Sequence, residues 1–208
     1  YFYDLNTLIS AAGYYLNFRN LIIPYQVTGS EEVFFRNAGK AENKGIELLI
    51  ETFLSDKLRT TLSYSLMNFV FKDYLHEFNG SLFQLEGNKI PGIPQQSFYF
   101  QAEYLNQTGI QCKVKLHWGD EYFTNDFNGT PPGSQSPKNN FINESYLKID
   151  LRLGYKFIFN FLDAELFLGI NNLFNKEYNG SVVANAIGER YFEPAPGRNW
   201  YAGLQILY

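Results

Sequence analysis

The sequence predicts an all-β protein, an antiparallel transmembrane β-barrel of which about eight strands are present. Three observations predict this fold class. Apolar residues recur with period 2, long and short connections alternate, and aromatic residues stand at the ends of the apolar stripes. A mean hydropathy of −0.26 agrees with strands that have one polar face.

The predicted strands follow one another along the whole chain. The segment ESYLKIDLRLGYKF shows the alternation most clearly, with Leu151 and Leu153 on an apolar face and Asp150 and Arg152 on a polar one. Each stripe is about 9–11 residues long, which lets a tilted strand cross a bilayer. The eight segments are 1–9, 33–54, 57–73, 95–106, 109–122, 144–157, 162–173 and 198–208.

The connections between these segments alternate in length. Short ones are expected at Ser55–Asp56, Asn106–Gly109 and Asn160–Phe161, and long ones at 10–32, 74–94, 123–143 and 174–197. Outer-membrane barrels join short periplasmic turns with long extracellular loops in this way. On alternation alone, a soluble sandwich or a lipocalin-like barrel is an alternative. Loops of more than a dozen residues disfavour it.

Assigning the apolar face to lipid gives two sets of residues a predicted role. Aromatic residues at the ends of the stripes form the membrane girdle: Trp118, Tyr155, Trp200 and Tyr208. Charged residues on the other face line the lumen and are expected to form cross-strand ion pairs. They are Glu103, Lys113, Lys115, Lys148, Asp150, Arg152, Asp163 and Glu165, together with Glu47, Glu51, Arg59 and Lys156.

The composition excludes several functional classes. A net charge of −4 with 17 Lys and Arg residues gives no basic surface for nucleic acid. Cys112 is the only cysteine, so neither an internal disulfide nor a cysteine metal site is expected. The sequence shows no Ser-His-Asp set, no glycine-rich phosphate loop and no apolar run of 18 residues. We therefore expect no catalytic residues, no enzyme activity and no membrane-spanning helix.

Metal binding is also disfavoured. His76 is considered for haem iron or copper, but a solvated loop position is expected. The pair Glu31–Glu32 is expected to be solvated, and Asp120–Glu121 with Asp126 is a weak candidate for Ca²⁺. No metal site is therefore assigned.

Five stretches of the chain resemble the TonB-dependent outer-membrane receptors. In order they are FYDLNTLIS, FFRNAGKAENKGIELLIE, GNKIPGIPQQSFYF, GINNLFNKEYN and RYFEPAPGRNWYAGLQILY, and they span nearly the whole sequence. The resemblance implies a barrel of roughly 22 strands closed by an N-terminal plug. Residues 1–208 are then the C-terminal portion of the barrel, with the plug and the earlier strands absent from this chain. The charged lumen residues face the plug in this interpretation.

The resemblance also implies a transport function. Such receptors bind an extracellular iron chelate, a ferric siderophore, and import it with energy supplied through TonB. The expected site lies on the extracellular loops, which are rich in aromatic and amide groups. The candidate residues are Tyr74, His76, Phe78, Tyr122, Asn125, Phe127, Arg190 and Tyr191. This lining suits neutral or catecholate chelates, because a strongly anionic chelate such as ferric citrate should need clustered Arg.

The expected partners and location follow from the same resemblance. They are TonB, contacted through the missing N-terminal region, the barrel assembly machinery, outer-membrane lipid and the ferric chelate, in the outer membrane of a Gram-negative bacterium. No covalently bound cofactor is expected. One alternative keeps the family and changes the cargo to cobalamin, haem or another metal complex. A second is a self-contained eight-stranded barrel with a structural or adhesive role, which requires 1–9 to pair with 198–208.

Overall fold

The computed structural model describes residues 2–3, 6–26, 32–158 and 163–207. Antiparallel strands dominate this part of the chain, with 3₁₀ turns at Lys138–Phe141 and Ile187–Glu189. Within the described ranges, no helix has the length and apolar character needed to cross a membrane.

Nine strands form one sheet, in which each strand pairs with the next in the order β1-β2-β5-β6-β9-β10-β13-β14-β17. The sheet is a meander of hairpins with antiparallel neighbours throughout, as the predicted fold class requires. Its strands are β1 (Phe2–Tyr3), β2 (Thr7–Arg19), β5 (Lys40–Ser55), β6 (Leu58–Asp73), β9 (Gln96–Leu105), β10 (Ile110–Gly119), β13 (Tyr146–Ile158), β14 (Asp163–Asn171) and β17 (Asn199–Leu207).

The N-terminal assignment from sequence is wrong in its bounds. Residues 1–9 were expected to form one strand and 10–32 a loop, but Phe2–Tyr3 folds back on β2, and β2 continues to Arg19. Strand β2 pairs with β5 from Thr7 to Arg19 without a break. The small residues Ala11, Ala12 and Gly13 interrupt the apolar alternation, so the sequence pattern did not predict this part of the strand. Its backbone pairing with β5 nevertheless keeps it extended.

The segment 33–54 is two strands and not one. The strand is interrupted at Ala38–Gly39. There Gly39 has a φ of 69°, and its backbone N–H donates a hydrogen bond to Asn37 Oδ1 at 2.7 Å. A side chain at Gly39 would also collide with the backbone carbonyl of Asp73. Residues before the break leave the main sheet, and residues after it form β5.

The remaining strands lie within a few residues of their predicted bounds. The short connections at 55–58 and 105–110 are tight turns, as expected. The third predicted turn, Asn160–Phe161, and the girdle residue Tyr208 lie outside the described residues.

The long connections contain strands of their own, which the sequence did not predict. Each connection folds back as a two-stranded hairpin. The pairs are β3 (Ile22–Gln26) with β4 (Val33–Asn37), β7 (Leu75–Phe78) with β8 (Ser81–Gln84), β11 (Tyr122–Phe123) with β12 (Ile142–Asn143), and β15 (Asn179–Val182) with β16 (Phe192–Pro194).

Most of the buried apolar side chains among the described residues lie in the long connections, and some of the others, such as Phe71, lie at the adjoining end of β6. One cluster contains Ile23, Phe71, Tyr74 and Leu85, and another contains Phe141 and Tyr191. The main sheet instead leaves large apolar side chains exposed, among them Leu153, Leu166, Leu168, Trp200 and Leu204. The densest packing therefore lies at the end of the sheet that carries the long connections, which we call the loop cap (20–39, 74–95, 120–145 and 172–198).

The sheet has two free edges. β1 and β17 are its outermost strands, and no pairing joins them in the part of the chain that the structure describes. The self-contained barrel required this pairing. The described strands instead form an open sheet.

Candidate functional site

The polar face of the main sheet carries rows of ion pairs. Lys113 pairs with Glu103 across β9 and β10, and Arg152 pairs with Glu165 across β13 and β14. These contacts confirm the expected cross-strand pairs. Two further pairs are Lys156–Asp163 at 2.7 Å and Arg59–Glu51 at 3.1 Å, while Lys148–Asp150 at 3.0 Å joins residues of one strand.

The eight predicted lumen residues share this polar face. Register places Glu103, Lys113 and Arg152 in one row across three strands. Six of the eight border a concave space of about 390 Å³: Glu103, Lys113, Lys115, Asp150, Arg152 and Glu165. The apolar side chains lie on the opposite face, because successive residues of a strand alternate. That this concave surface faces a plug stays a prediction.

Aromatic rings cover glycines on the same polar face. An added Cβ on Gly169 would lie 2.1 Å from Cζ of Tyr201, and one on Gly203 would lie 2.4 Å from Cζ of Phe167. Both pairs lie directly opposite in the β14–β17 register. The group that packs against Gly169 is the ring of Tyr201. Phe167 also receives the guanidinium of Arg152, 4.2 Å from its ring centre.

The girdle residues lie at opposite ends of the strands. Trp118 pairs with Leu147, and Trp200 pairs with Ile170, near the loop cap. Tyr155 pairs with Ile110, near the short turns. Their contact with the membrane interface stays a prediction.

One buried carboxylate connects all four long connections. Asp126, with 0% of its side chain exposed, accepts hydrogen bonds from Arg36 at 3.2 Å, Tyr74 at 3.0 Å and Asn185 at 3.1 Å. Its backbone carbonyl also accepts the Asn88 amide at 2.8 Å. Each connection contributes one of these residues: the first Arg36, the second Tyr74, the third Asp126 and the fourth Asn185. The four connections of the loop cap thus meet at one carboxylate, and we call Asp126 with its three donors the Asp126 junction.

His76 belongs to this junction and is not the solvated residue that the sequence predicted. It is 5% exposed, and its Nδ1 lies 3.1 Å from Arg36 Nη2 and 3.0 Å from Tyr74 Oη. The ring centre of Phe127 is 5.0 Å away and that of Phe78 5.9 Å. The hairpin β7–β8 turns His76 inward because its neighbours Leu75 and Glu77 occupy the outer face.

Burial also raises the pKa of the Tyr74 hydroxyl well above its usual range, with the Asp126 charge acting in the same direction. Tyr74 therefore remains a hydrogen-bond donor to Asp126 at any physiological pH.

The other candidate ligand residues fall into a second group. Asn125 is buried and donates to the carbonyl of Gly129 at 2.9 Å, which holds the turn after β11. Tyr191 is buried against Phe141, with ring centres 5.8 Å apart. Burial raises the pKa of both Tyr191 and the half-buried Tyr122.

The structure brings some of the eight loop candidates together but does not present all of them to solvent. Arg190 is exposed, and Phe78, Tyr122 and Phe127 are half-buried. Tyr74, His76, Asn125 and Tyr191 are buried and serve loop packing. Ligand contact by any of the eight stays a prediction.

Arg36 and Asn185 were not singled out from sequence, and Asp126 was considered only for Ca²⁺. The sequence offered one signal for a buried Asp126, namely that it is a charged residue within the aromatic stretch EYFTNDFNG. Among the described residues, no group of three His, Cys, Asp or Glu side chains is arranged to hold a metal ion.

A cavity of about 930 Å³ lies between the third and fourth connections. Its wall includes Tyr178, which stacks on Tyr146 with ring centres 4.6 Å apart and an interplanar angle of 21°. The rest of the wall is mainly polar, with Asn and Glu side chains from both connections.

A family model identifies the barrel. The model described as "TonB dependent receptor-like, beta-barrel" matches residues 1–173. The chain belongs to this family. Members of the TonB-dependent receptor family are transporters, so the expectation that the chain is not an enzyme is confirmed.

Solved structures of TonB-dependent receptors share the fold. The siderophore receptor PiuA from Acinetobacter baumannii is 20% identical with a TM-score of 0.72, over 99% of this chain and 27% of that one. The ferric-catecholate import receptor Fiu from E. coli K12, in its closed form, is 20% identical with a TM-score of 0.66, over 98% and 25%. The unliganded ferric citrate transporter FecA is 15% identical with a TM-score of 0.72, over 98% and 29%.

This TonB-dependent receptor chain therefore spans between 25% and 29% of the length of those three structures. At such identities the similarity shows a common fold. The nine-strand meander is a fragment of the family's barrel, which explains its two free edges.

Proposed function

We propose that the chain is part of an outer-membrane receptor that binds an iron chelate, a ferric siderophore, outside the cell and imports it with energy supplied through TonB. The single observation that carries the proposal is the match of residues 1–173 to the TonB-dependent receptor barrel. A loop cap at one end of a sheet with a polar face supports it, because cargo must first be held and then pass along a wetted wall.

The polar face has a specific part in this transport. Charged groups already paired on the wall, such as Lys113 with Glu103, offer a plug a hydrated surface without strong apolar adhesion. Lys115 has no ion-pair partner among the described residues and borders the same concave space. It is the cation on this wall that we expect to contact the plug.

The partners in this proposal are TonB, reached through a segment outside this chain, the ferric chelate, outer-membrane lipid and the barrel assembly machinery. The location is the outer membrane of a Gram-negative bacterium. Cobalamin, haem and other metal complexes are the alternative cargoes, and a similar solved structure is described as the copper transporter OprC.

Uptake in whole cells tests the function. Cells lacking the gene, grown without iron, should lose accumulation of radioactive iron from at least one siderophore, and the complemented gene should restore it. A strain lacking TonB should show the same loss. Normal iron accumulation in the deletion strain from every chelate tested, together with loss of cobalamin or haem use, would move the cargo to the alternatives.

A further inference from the structure

The cavity between the third and fourth connections carries uncompensated negative charge. Glu144, Glu177 and Glu189 line it, against one cation, Lys176. In the described chain no ion pair neutralises any of these four groups. Glu189 accepts hydrogen bonds from Ser136 Oγ at 2.6 and 2.7 Å, and Ser136 brings no charge. The wall therefore repels an anion.

Three cations next to lining residues, Lys138, Arg190 and Arg198, do not line the cavity themselves. Lys138 precedes the lining residue Asn139, but its ammonium lies over the ring of Phe123, 5.9 Å from the centre. Arg190 follows Glu189 but does not line the space. An anionic ligand would thus find no arginine fork, the arrangement that planar anionic groups favour.

The neutral part of the lining is suited to amide and hydroxyl groups. Asn139, Asn140, Asn175 and Asn179 border the cavity, and an Asn side chain both donates and accepts. Tyr178 adds an aromatic surface beside them. These groups can bind an uncharged, strongly polar ligand without a counter-ion.

The whole loop cap has the same electrostatic sign. The four connections 20–39, 74–95, 120–145 and 172–198 hold eleven acidic and six basic residues, so their net charge is −5 with histidine neutral. A surface of one sign lowers the local concentration of ligands of that sign. The cap therefore disfavours an anion before it reaches the cavity.

We infer that the chelate bound in this cavity is uncharged, and this inference rests on the proposed function. Ferric iron held by three singly charged hydroxamates is neutral, whereas iron held by three doubly charged catecholates is a trianion. The cavity accepts the first kind and rejects the second, and it also rejects ferric citrate. This narrows the neutral or catecholate chelates expected from sequence to the neutral class. It also separates this chain from the receptors described above as ferric-catecholate and ferric citrate transporters.

Binding to the full-length receptor in detergent tests the inference. The probes are ferrichrome, a neutral ferric hydroxamate, ferric enterobactin, a ferric catecholate trianion, and ferric citrate. We expect ferrichrome to bind at least about tenfold more tightly than either anion, since each uncompensated, solvent-screened charge near the ligand changes affinity by roughly threefold. The difference should shrink in high salt.

A pair of double variants assigns the effect to the cavity. E144Q/E177Q should raise the affinity for ferric enterobactin about tenfold and leave ferrichrome within about twofold. The matched control E77Q/E86Q removes two charges that are exposed like Glu144 and Glu177 but do not line the cavity. It should raise the affinity for ferric enterobactin by less than about threefold.

The outcomes separate the inference from the function. Tighter binding of an anionic chelate than of ferrichrome overturns the inference and leaves receptor function intact. Equal effects of the two double variants also overturn it, since the discrimination would not come from this cavity. If a folded receptor binds none of the three chelates, both the inference and the iron-chelate function are wrong.

Discussion

Asp126 is the residue on which the loop cap depends most. Breaking a buried ion pair by removing one partner leaves the other group without compensation, and removal of a buried acceptor leaves its donors unpaired. Arg36, Tyr74 and Asn185 all donate to this one carboxylate. Its loss should therefore be felt in all four connections at once.

The substitution Asp126→Ala should destabilise the loop cap by about 3–5 kcal/mol. Hydrogen–deuterium exchange of the purified receptor should become faster in the loop cap and remain unchanged in β10 and β13. The matched control is Asp73→Ala, whose carboxylate is 61% exposed and pairs with Lys40, because exposed pairs contribute little. Faster exchange confined to the third connection, which carries Asp126, would argue against a shared junction.

The residues of this junction could not be predicted from sequence. Aromatic and amide side chains marked the long loops as sites of interest, and Tyr74 and His76 were found in this way. Arg36 and Asn185 stand 149 positions apart in the chain, and no local pattern relates them to Asp126. Only the folded arrangement of four separate loops brings them together.

At the scale of single strands, glycine and aromatic residues form matched pairs across β14 and β17. Tyr201 lies over Gly169, and Phe167 lies over Gly203. Each glycine is a weak strand former that provides room for a ring. The ring covers the backbone that the glycine leaves bare.

The effect of Gly169→Ala on barrel stability should depend on whether Tyr201, the residue opposite, is present. With Tyr201 present, the new methyl group displaces the ring and destabilises the barrel by about 1–3 kcal/mol. In a Tyr201→Ala background it should be neutral or stabilise by up to about 1 kcal/mol, because alanine suits a strand better than glycine. The temperature at which the folded band disappears in gel electrophoresis measures both. The same destabilisation in both backgrounds would show that the ring is not responsible.

Two adjacent residues of β17 test which face meets lipid. Leu204 is 62% exposed on the apolar face opposite Leu166, and Gln205 lies opposite Glu165 on the polar face. Leu204→Lys should destabilise the inserted barrel by about 2–4 kcal/mol, whereas Gln205→Lys should be tolerated beside Glu165. Chemical denaturation of the receptor in lipid vesicles gives the two values, and similar losses would contradict the assignment of the faces.

Period-2 alternation predicted the strands with strong side-chain contrast well. β13 and β14 lie within two residues of their expected bounds, because an apolar residue recurs at every second position of both strands. β2 was cut short, since Ala11, Ala12 and Gly13 have little contrast, yet its pairing with β5 keeps it extended. The hairpins of the loop cap were missed because contacts between loops stabilise them.

At the scale of the whole molecule, the sheet has two edges that a membrane barrel must close. Unpaired backbone groups at an edge are not tolerated in lipid. The chain covers about a quarter of each similar receptor, and its open meander matches part of their barrels. Closure must therefore involve strands beyond these nine.

The polypeptide that carries this sequence in cells should be several-fold heavier than 24.1 kDa. Detergent extracts of outer membranes, separated by size and probed for peptides of this sequence, provide the mass. A species near 24.1 kDa would contradict the barrel described above and favour a self-contained structure.

The Asp126 junction also limits how the sequence can vary among relatives. Loops that meet at one carboxylate cannot change length independently, because an insertion in any of them near Arg36, Tyr74 or Asn185 would pull its donor away. Variation should instead accumulate at the tips of the hairpins, such as Asn79–Gly80, where the chain turns in solvent. Surface diversity, and with it escape from antibodies or phage, would then be confined to those tips while the interior of the cap changes as a unit.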